Sequence, residues 1–401
     1  MSVQNDMVID NGTGAAVRAD LNLALQALAN NSSGSSAPST NYASQFFANT
    51  STSIMQINNT SGNAFINLFT LAGGPAFPVD GTINSINIGK GTNSVAGNTV
   101  LGESALDAAV SGGNNTAIGY SCLGFGVLAD NVSGSNNTAV GRFALKENTA
   151  SNNTAIGKDS LTKNTSGEFN TAVGSASLDA NETADANTAC GYQALTTNTT
   201  GANNVAVGKG ALDANTTASN NTGVGTEALE TNSTGAGNTA VGFRSLEANE
   251  TANNNSAFGK EALKINTTGA QNSAFGANAL DANTTATNNT AFGFNALSAN
   301  DTGTPNTAVG SGSLDNNTDG TNNTAMGFDS LDANVSGNNN TAVGHNALTN
   351  STGAQNTSLG STAGDLITTG SNNTSLGYQA DPSANNATNE ITLGNSSITA
   401  I

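Results

Sequence analysis

The sequence predicts an all-β protein: a parallel β-solenoid or β-roll of about eighteen 17-residue coils, behind a small N-terminal module with a short helix and a β-meander. Three observations carry this. The pattern Asn-Thr-Ala-Val/Ile/Phe-Gly places Gly at 102, 119, 141, 157, 174, 191, 208, 225, 242, 259, 276, 293, 310, 327, 344, 360, 377 and 394. Most steps are 17 residues; the exceptions are 22 (119 to 141) and 16 (141 to 157, 344 to 360), with a shorter echo at Ile88-Gly89. The columns of this alignment are as regular as its period. The residue before Gly is always apolar, the one before that is almost always Ala, and Leu follows Gly by four from Leu106 to Leu348. The third observation is composition: 65 Asn and 47 Gly among 401 residues, with only 9% charged, has the look of low-complexity disorder. A disordered chain has no reason to hold a register, so the composition belongs to a thin, repeated core.

Residues 1–80 form a separate module. Val17, Leu21, Ala24 and Leu28 recur at helical spacing, so 15–30 reads as a short amphipathic helix. Residues 31–39 (NSSGSSAPS) are a linker. Within 42–71, three segments alternate apolar and polar residues around the turn Asn59-Thr60-Ser61-Gly62, which predicts a β-meander. Residues 81–378 are the repeat solenoid. In each copy Asn-Thr-Ala-Val reads as a short strand with its apolar residue facing inward and Thr outward or towards a neighbour. Gly makes the corner. The Ala-Leu leg turns back into the core as a strand or a helical turn, with Ala or Ser three after Gly and Cys122 as the variant. Asn seven after Gly, Asn148 through Asn334, stacks into amide ladders. The expected core comprises Leu145, Leu161, Leu178, Leu195, Leu212, Leu229, Leu246, Leu263, Leu280 and Leu297, the strand residues Val173, Val207 and Val241, and the amides Asn198, Asn215, Asn232 and Asn249. Ten after Gly, Ala and Gly alternate from Ala184 to Gly303, a 34-residue superperiod. Towards the C-terminus Leu is lost from its late slots, where Gly364 and Asp381 sit, and residues 379–401, which keep Ile391-Thr392-Leu393-Gly394, read as a degenerate cap. Two large apolar groups per coil are few, and the small Ala and Gly columns invite close approach by another surface. Parallel homotrimerisation is the expected supply.

Charge and motif content exclude much. Acidic residues outnumber basic ones 28 to 10, giving a net charge of -18, a poor match to nucleic acid or anionic lipid. No run reaches the apolar length of a membrane span, and no basic n-region with an apolar block marks a signal peptide. One His and two Cys leave no triad, multi-His metal site or disulfide framework; Cys122 and Cys190 read as packed thiols. No catalytic motif appears in its required context, so no enzyme activity, cofactor or metal is expected.

The most variable column follows Gly directly. It holds Tyr120, Arg142, Lys158, Tyr192, Lys209, Phe243, Lys260, Phe294, Phe328, His345 and Tyr378, with Lys90 in the short first copy. An aromatic and basic ridge can stack sugars and bind anionic glycans or lipopolysaccharide. The competing reading packs this column between chains of the trimer, with lysine stems covering apolar surface. Five after Gly, acids accumulate at Asp107, Asp179, Asp213, Glu230, Glu247, Asp281, Asp315 and Asp332, a solvated face too sparse for Ca²⁺.

The unit Asn187-Thr-Ala-Cys-Gly-Tyr-Gln-Ala-Leu195 resembles the repeats of marine and cyanobacterial phage tail fibres and, more distantly, the head repeats of YadA-type trimeric autotransporter adhesins. The opening stretch Asn5 to Leu21, with Ala27-Leu28 and Ala37-Pro38-Ser39-Thr40, is similar to the N-terminal module of such fibres. Asn389 to Ser397 is similar to the segment that often precedes a self-cleaving intramolecular chaperone domain; whether one was cleaved off after Ile401 stays open. The resemblance implies a homotrimeric virion fibre, joined to a tail or adaptor protein through residues 1–80 and reaching the host surface. A bacterial trimeric surface adhesin is the alternative, and an ice-binding solenoid, on the strength of outward Thr and Asn arrays, is a third.

Overall fold

A computed structural model describes residues 33–34, 46–49, 54–58, 65–70, 81–83, 86–91, 94–107, 111–124 and 133–399, and the chain divides into two units, Met1–Ile83 and Asn84–Ile401. The predicted helix 15–30 lies outside the described residues. In the first unit, β1 (Ser33–Gly34), β2 (Phe46–Asn49), β3 (Ile54–Asn58) and β4 (Phe65–Thr70) form one sheet in that order. β2–β3 and β3–β4 are antiparallel, with Phe46 opposite Ile57 and Asn58 opposite Phe65, so the meander is present. β1 pairs parallel with β2, so Ser33 and Gly34 of the predicted linker are a short strand.

The second unit is all-β, a solenoid of parallel coils. Eighteen strands, from Thr99–Gly102 to Ile391–Leu393, pair in sequence order, and the seventeen steps between them are the coils. Every step keeps the same register, in most cases Thr on Thr and Ala on Ala, as in Thr171↔Thr188 and Ala172↔Ala189. At about 4.8 Å per step the stack advances roughly 80 Å. The echo at Ile88-Gly89 is not a first coil. Ile86–Gly89 runs antiparallel to Thr99–Gly102 and covers the edge of the first parallel strand.

The strand faces are the reverse of the expectation. Ala occupies the inward position, and Ala155, Ala172, Ala189 and Ala206 are fully buried. The flanking Thr and apolar residue therefore share the outward face, because side chains alternate along a strand. Val207 is 37% exposed, and Val173 and Val241 are half-buried, so these three do not belong to the core. Cys190 shares their column and is exposed, whereas Cys122 is buried among the small residues; burial pushes its thiol up to about 12. The inward slot holds Ala in most coils, Val100 in the first and Ser358 and Ser375 in two late ones, all of them buried. The interior is thus Ala, one Leu per coil, and two columns of Asn, with Leu145 through Leu297 all fully buried.

The Ala-Leu leg is neither strand nor helix. It is a turn in which Leu itself is left-handed: φ is 50° at Leu145, 53° at Leu195 and 54° at Leu297. That conformation costs a γ-branched residue about 1–2 kcal/mol. Full burial and inter-coil bonding hold it: Leu195 N donates to Ala211 O of the next coil (3.0 Å), and Leu195 O accepts from Asn198 N (3.3 Å). The corner glycine is required twice over. Gly191 has φ 145°, and a Cβ there would lie 2.4 Å from Gly208 O.

Two Asn columns tie coil to coil. In the first, seven residues after Gly, Asn181 Nδ2 donates to Asn164 Oδ1 (2.7 Å) and to Ala184 O (3.1 Å). Asn198 repeats this onto Asn181 and Gly201, and Asn215, Asn232 and Asn249 continue it. In the second, Asn170 Nδ2 donates to Ala184 O (2.8 Å) while Asn170 Oδ1 accepts from the backbone N–H of Asn187 in the next coil (3.0 Å). Buried amides in both columns thus have partners for donor and acceptor, as their burial demands.

Candidate exposed recognition column

The corner glycine ends each strand and sends the next residue outward at the start of the turn. All eleven residues of the predicted column are exposed: Tyr120, Arg142, Lys158, Tyr192, Lys209, Phe243, Lys260, Phe294, Phe328, His345 and Tyr378. Register stacks them one or two coils apart, with small residues such as Ser175, Thr226 and Ala277 between some of them, and neighbours can touch: Phe328 and His345 lie 5.5 Å apart between ring centroids at 12°. The column is therefore one continuous row on the solenoid surface.

The apolar residues before Gly form a second exposed row across the corner. Phe258 and Phe275 stack at 4.7 Å, and Phe275 and Phe292 at 5.6 Å, with Phe292 57% exposed. The sequence missed this row because an apolar residue fixed at every seventeenth position reads as core. The signal that could have found it is the recurrent Ala beside it: two neighbouring strand residues cannot both point inward.

Electrostatics sort the charges by column. Each of the three lysines among the eleven has an acid beside it: Lys158 Nζ lies 2.6 Å from Asp159, Lys209 Nζ 3.2 Å from Glu227, and Lys260 Nζ 3.5 Å from Glu261. Such exposed pairs exchange readily with solvent and salt. Arg244 bridges Glu227 (2.8 Å) and Glu247 (3.6 Å), and its guanidinium reaches 5.1 Å from the Phe243 ring centroid. Glu227, Glu230 and Glu247 bring carboxylate oxygens within 4.8 Å of one another. Hydrogen bonds from Arg244 and Lys209 hold the Glu227 carboxyl below its ordinary value. Desolvation, then Glu227 and Glu247, push Glu230 above its own. The guanidinium already serves as this cluster's cation. Elsewhere in the acid column, burial raises Asp107, Asp213, Asp281 and Asp332. Asp213, Asp281 and Asp332 are half-buried, so the column is less solvated than its spacing indicates.

Compared with known proteins, the chain matches no family model, no curated protein and no solved structure. The solenoid's own surface is what bears on function. Among the described residues no helix is long and apolar enough to cross a membrane.

Proposed function

We propose that the chain is a structural and adhesive fibre, a phage tail fibre by its sequence resemblance, that assembles as a parallel homotrimer and recognises a host surface glycan or lipopolysaccharide. One observation carries this reading: the solenoid buries its Ala, Leu and Asn columns within itself, yet two rows of apolar, aromatic and basic side chains face outward along it. Apolar surface that continuous is rare on a monomer and marks association. The row before Gly, with stacked Phe258, Phe275 and Phe292, supplies self-association. The row after Gly, mixed aromatic and basic, supplies recognition, since ring faces stack on sugars and lysines pair with anionic groups. Residues 1–80 are the attachment module for a tail or adaptor protein in the virion.

Two measurements test it. Native mass spectrometry is expected to give about three times the 39.5 kDa chain mass, and a purely monomeric chain at micromolar concentration refutes the assembly. Replacing Tyr192, Phe243 and Phe294 together with Ser is expected to abolish adsorption of the purified chain to a panel of cyanobacterial and Gram-negative cells without changing its thermal unfolding. Undiminished adsorption by the triple variant refutes the recognition role of the row.

A further inference from the structure

The recognition row has an order that the fold does not demand. Lys158, Lys209 and Lys260 are spaced by 51 residues, which is three coils, and so are Tyr192, Phe243 and Phe294. Between each lysine and the ring two coils on stands a small residue: Ser175, Thr226, then Ala277. The order lysine, small, aromatic therefore runs three times over nine successive coils. At about 4.8 Å per coil the unit repeats every ~14 Å. The buried Ala, Leu and Asn columns repeat every coil, and the Ala/Gly column repeats every second coil. No packing requirement of the interior has a period of three. The lysine side chains are 58–61% exposed and the three rings 42–55% exposed, so the pattern is written on the outer surface alone.

We propose that this face binds a linear polysaccharide carrying one acidic group in each three-sugar repeat, laid along the stack; this rests on the reading of the chain as a surface-recognising fibre. A sugar ring advances an extended polysaccharide by nearly the distance that one coil advances the solenoid, so successive sugars meet successive coils. Every third sugar then meets a ring face for stacking, the next coil offers a lysine, and the small residue leaves room for the sugar that carries neither. Lysine exchanges its weak pair with Asp159, Glu227 or Glu261 for the ligand's carboxylate or sulfate. Because the chain as a whole carries a net charge of -18, acidic groups that fall out of step with the lysines meet repulsion, which converts spacing into specificity. Three units on one rigid face add their affinities as linked sites.

The test uses the full chain, two deletions and three polymers of matched length with one carboxylate per two-, three- or four-sugar repeat. Removing 211–227 deletes one coil with Thr226 and leaves every lysine and ring, but puts them out of step. Removing 211–261 deletes three coils and one unit, and leaves the rest in step. Both create the same Gly210–Ala junction, at Ala228 or Ala262, and the same Gly-on-Gly stacking below it. The full chain is expected to bind the three-sugar polymer about tenfold tighter than the others. The one-coil deletion is expected to lose about tenfold, the three-coil deletion only about threefold despite having fewer rings. Equal binding of the three polymers to the full chain overturns the proposal, as does a one-coil deletion that binds no worse than the three-coil one. Adsorption to cells that disappears in the Tyr192/Phe243/Phe294 variant, alongside equal binding of the polymers, overturns this inference alone. Adsorption unchanged in that variant overturns the recognition role of the row on which this inference rests.

Discussion

At Asn215 the side-chain amide donates to Asn198 Oδ1 (2.8 Å) and Ala218 O (3.0 Å) and accepts from Asn232 Nδ2 (3.0 Å), with no surface exposed. Replacing it with Ala leaves Asn198 Oδ1 without its donor from the next coil and removes one of the two amides that bind Ala218 O, the other being Asn204 (2.9 Å). The expected cost is about 1–3 kcal/mol, the desolvation penalty of a buried group left unpaired. Thermal unfolding monitored by circular dichroism checks it, and a loss below the error of the melt contradicts a structural role for the amide row. Asn serves several positions in the coil, among them the two buried columns and an outward one where Asn136, Asn152, Asn203 and Asn220 adopt φ near 60°. Only Gly, Asn and Asp enter that region at small cost. The sequence made the first column legible through its unbroken run from Asn148 to Asn334. It could not separate the adjacent pair in Asn152-Asn153 or Asn203-Asn204, where one amide is a backbone solution and its neighbour a buried tie.

A single coil can exchange its core residue between slots, as the one that follows Gly360 does. Its Leu slot holds Gly364, and its Asn slot holds Ile367, which is fully buried. A Cβ on Gly364 would lie 2.4 Å from Ser358 Oγ, 3.0 Å from Leu348 Cδ2 and 3.3 Å from Ile367 Cδ1, so Ile367 and the Ser358 hydroxyl share the space that Leu leaves in this coil. Gly364 keeps φ 66°, the left-handed geometry that Leu adopts in the other coils. Ile367→Asn alone is therefore expected to cost about 2–5 kcal/mol by emptying the core. Gly364→Leu alone overpacks it at about 1–3 kcal/mol. The double variant returns Leu and Asn to the slots they hold in most coils, though beside Ser351, Ser358 and Ala384 rather than the usual Asn and Ala, and its cost is expected to fall short of the sum by about 1–3 kcal/mol in a double-mutant cycle. Additive costs contradict the exchange. The same element shows why the fold class was readable while the strand faces were not. Period and register follow from repetition alone, which a sequence displays directly. Facing depends on which of two adjacent apolar residues the narrow coil admits, and it admits Ala172 rather than Val173. The left-handed Leu was equally hidden, since Leu is a residue that ordinarily avoids that geometry and only the stacked coil holds it there. Of the exposed row after Gly, the sequence displayed the members and their exposure followed from the corner glycine; which partners sit beside the lysines required the neighbouring coils.

Across the whole chain, stacking places carboxylates above one another, and this sets how stability responds to pH. Burial raises Asp107, Asp213, Glu230, Asp281, Asp332 and Asp365 above ordinary carboxylate values, with neighbouring acids adding to it at Glu230, Asp281, Asp332 and Asp365. Such a group binds its proton more tightly in the folded chain than in the unfolded one. Through the interval between its ordinary and raised values the folded state holds more protons, so stability falls as pH rises and is recovered as pH falls. Glu227, held low by Arg244 and Lys209, and Glu390, held low by Ser383, act in the opposite sense. Their stabilisation is present above the ordinary value and is lost only as pH falls through their lowered values. The raised group is the larger, and neutralising it also relieves the self-repulsion of a -18 chain. The melting temperature is therefore expected to rise as pH is lowered from 7 towards the ordinary carboxylate range, and to fall below that range. Two substitutions that remove the same unit of charge separate this from a general charge effect. Asp281→Asn removes a carboxylate that burial and Asp315 disfavour, so it is expected to raise the melting temperature at pH 7 and to flatten the rise on acidification. Glu390→Gln weakens the bonds to Ser383 N and Oγ, so it is expected to lower the melting temperature at pH 7. Shifts of the same sign from both variants would assign the pH response to net charge and remove the role of the stacked carboxylates.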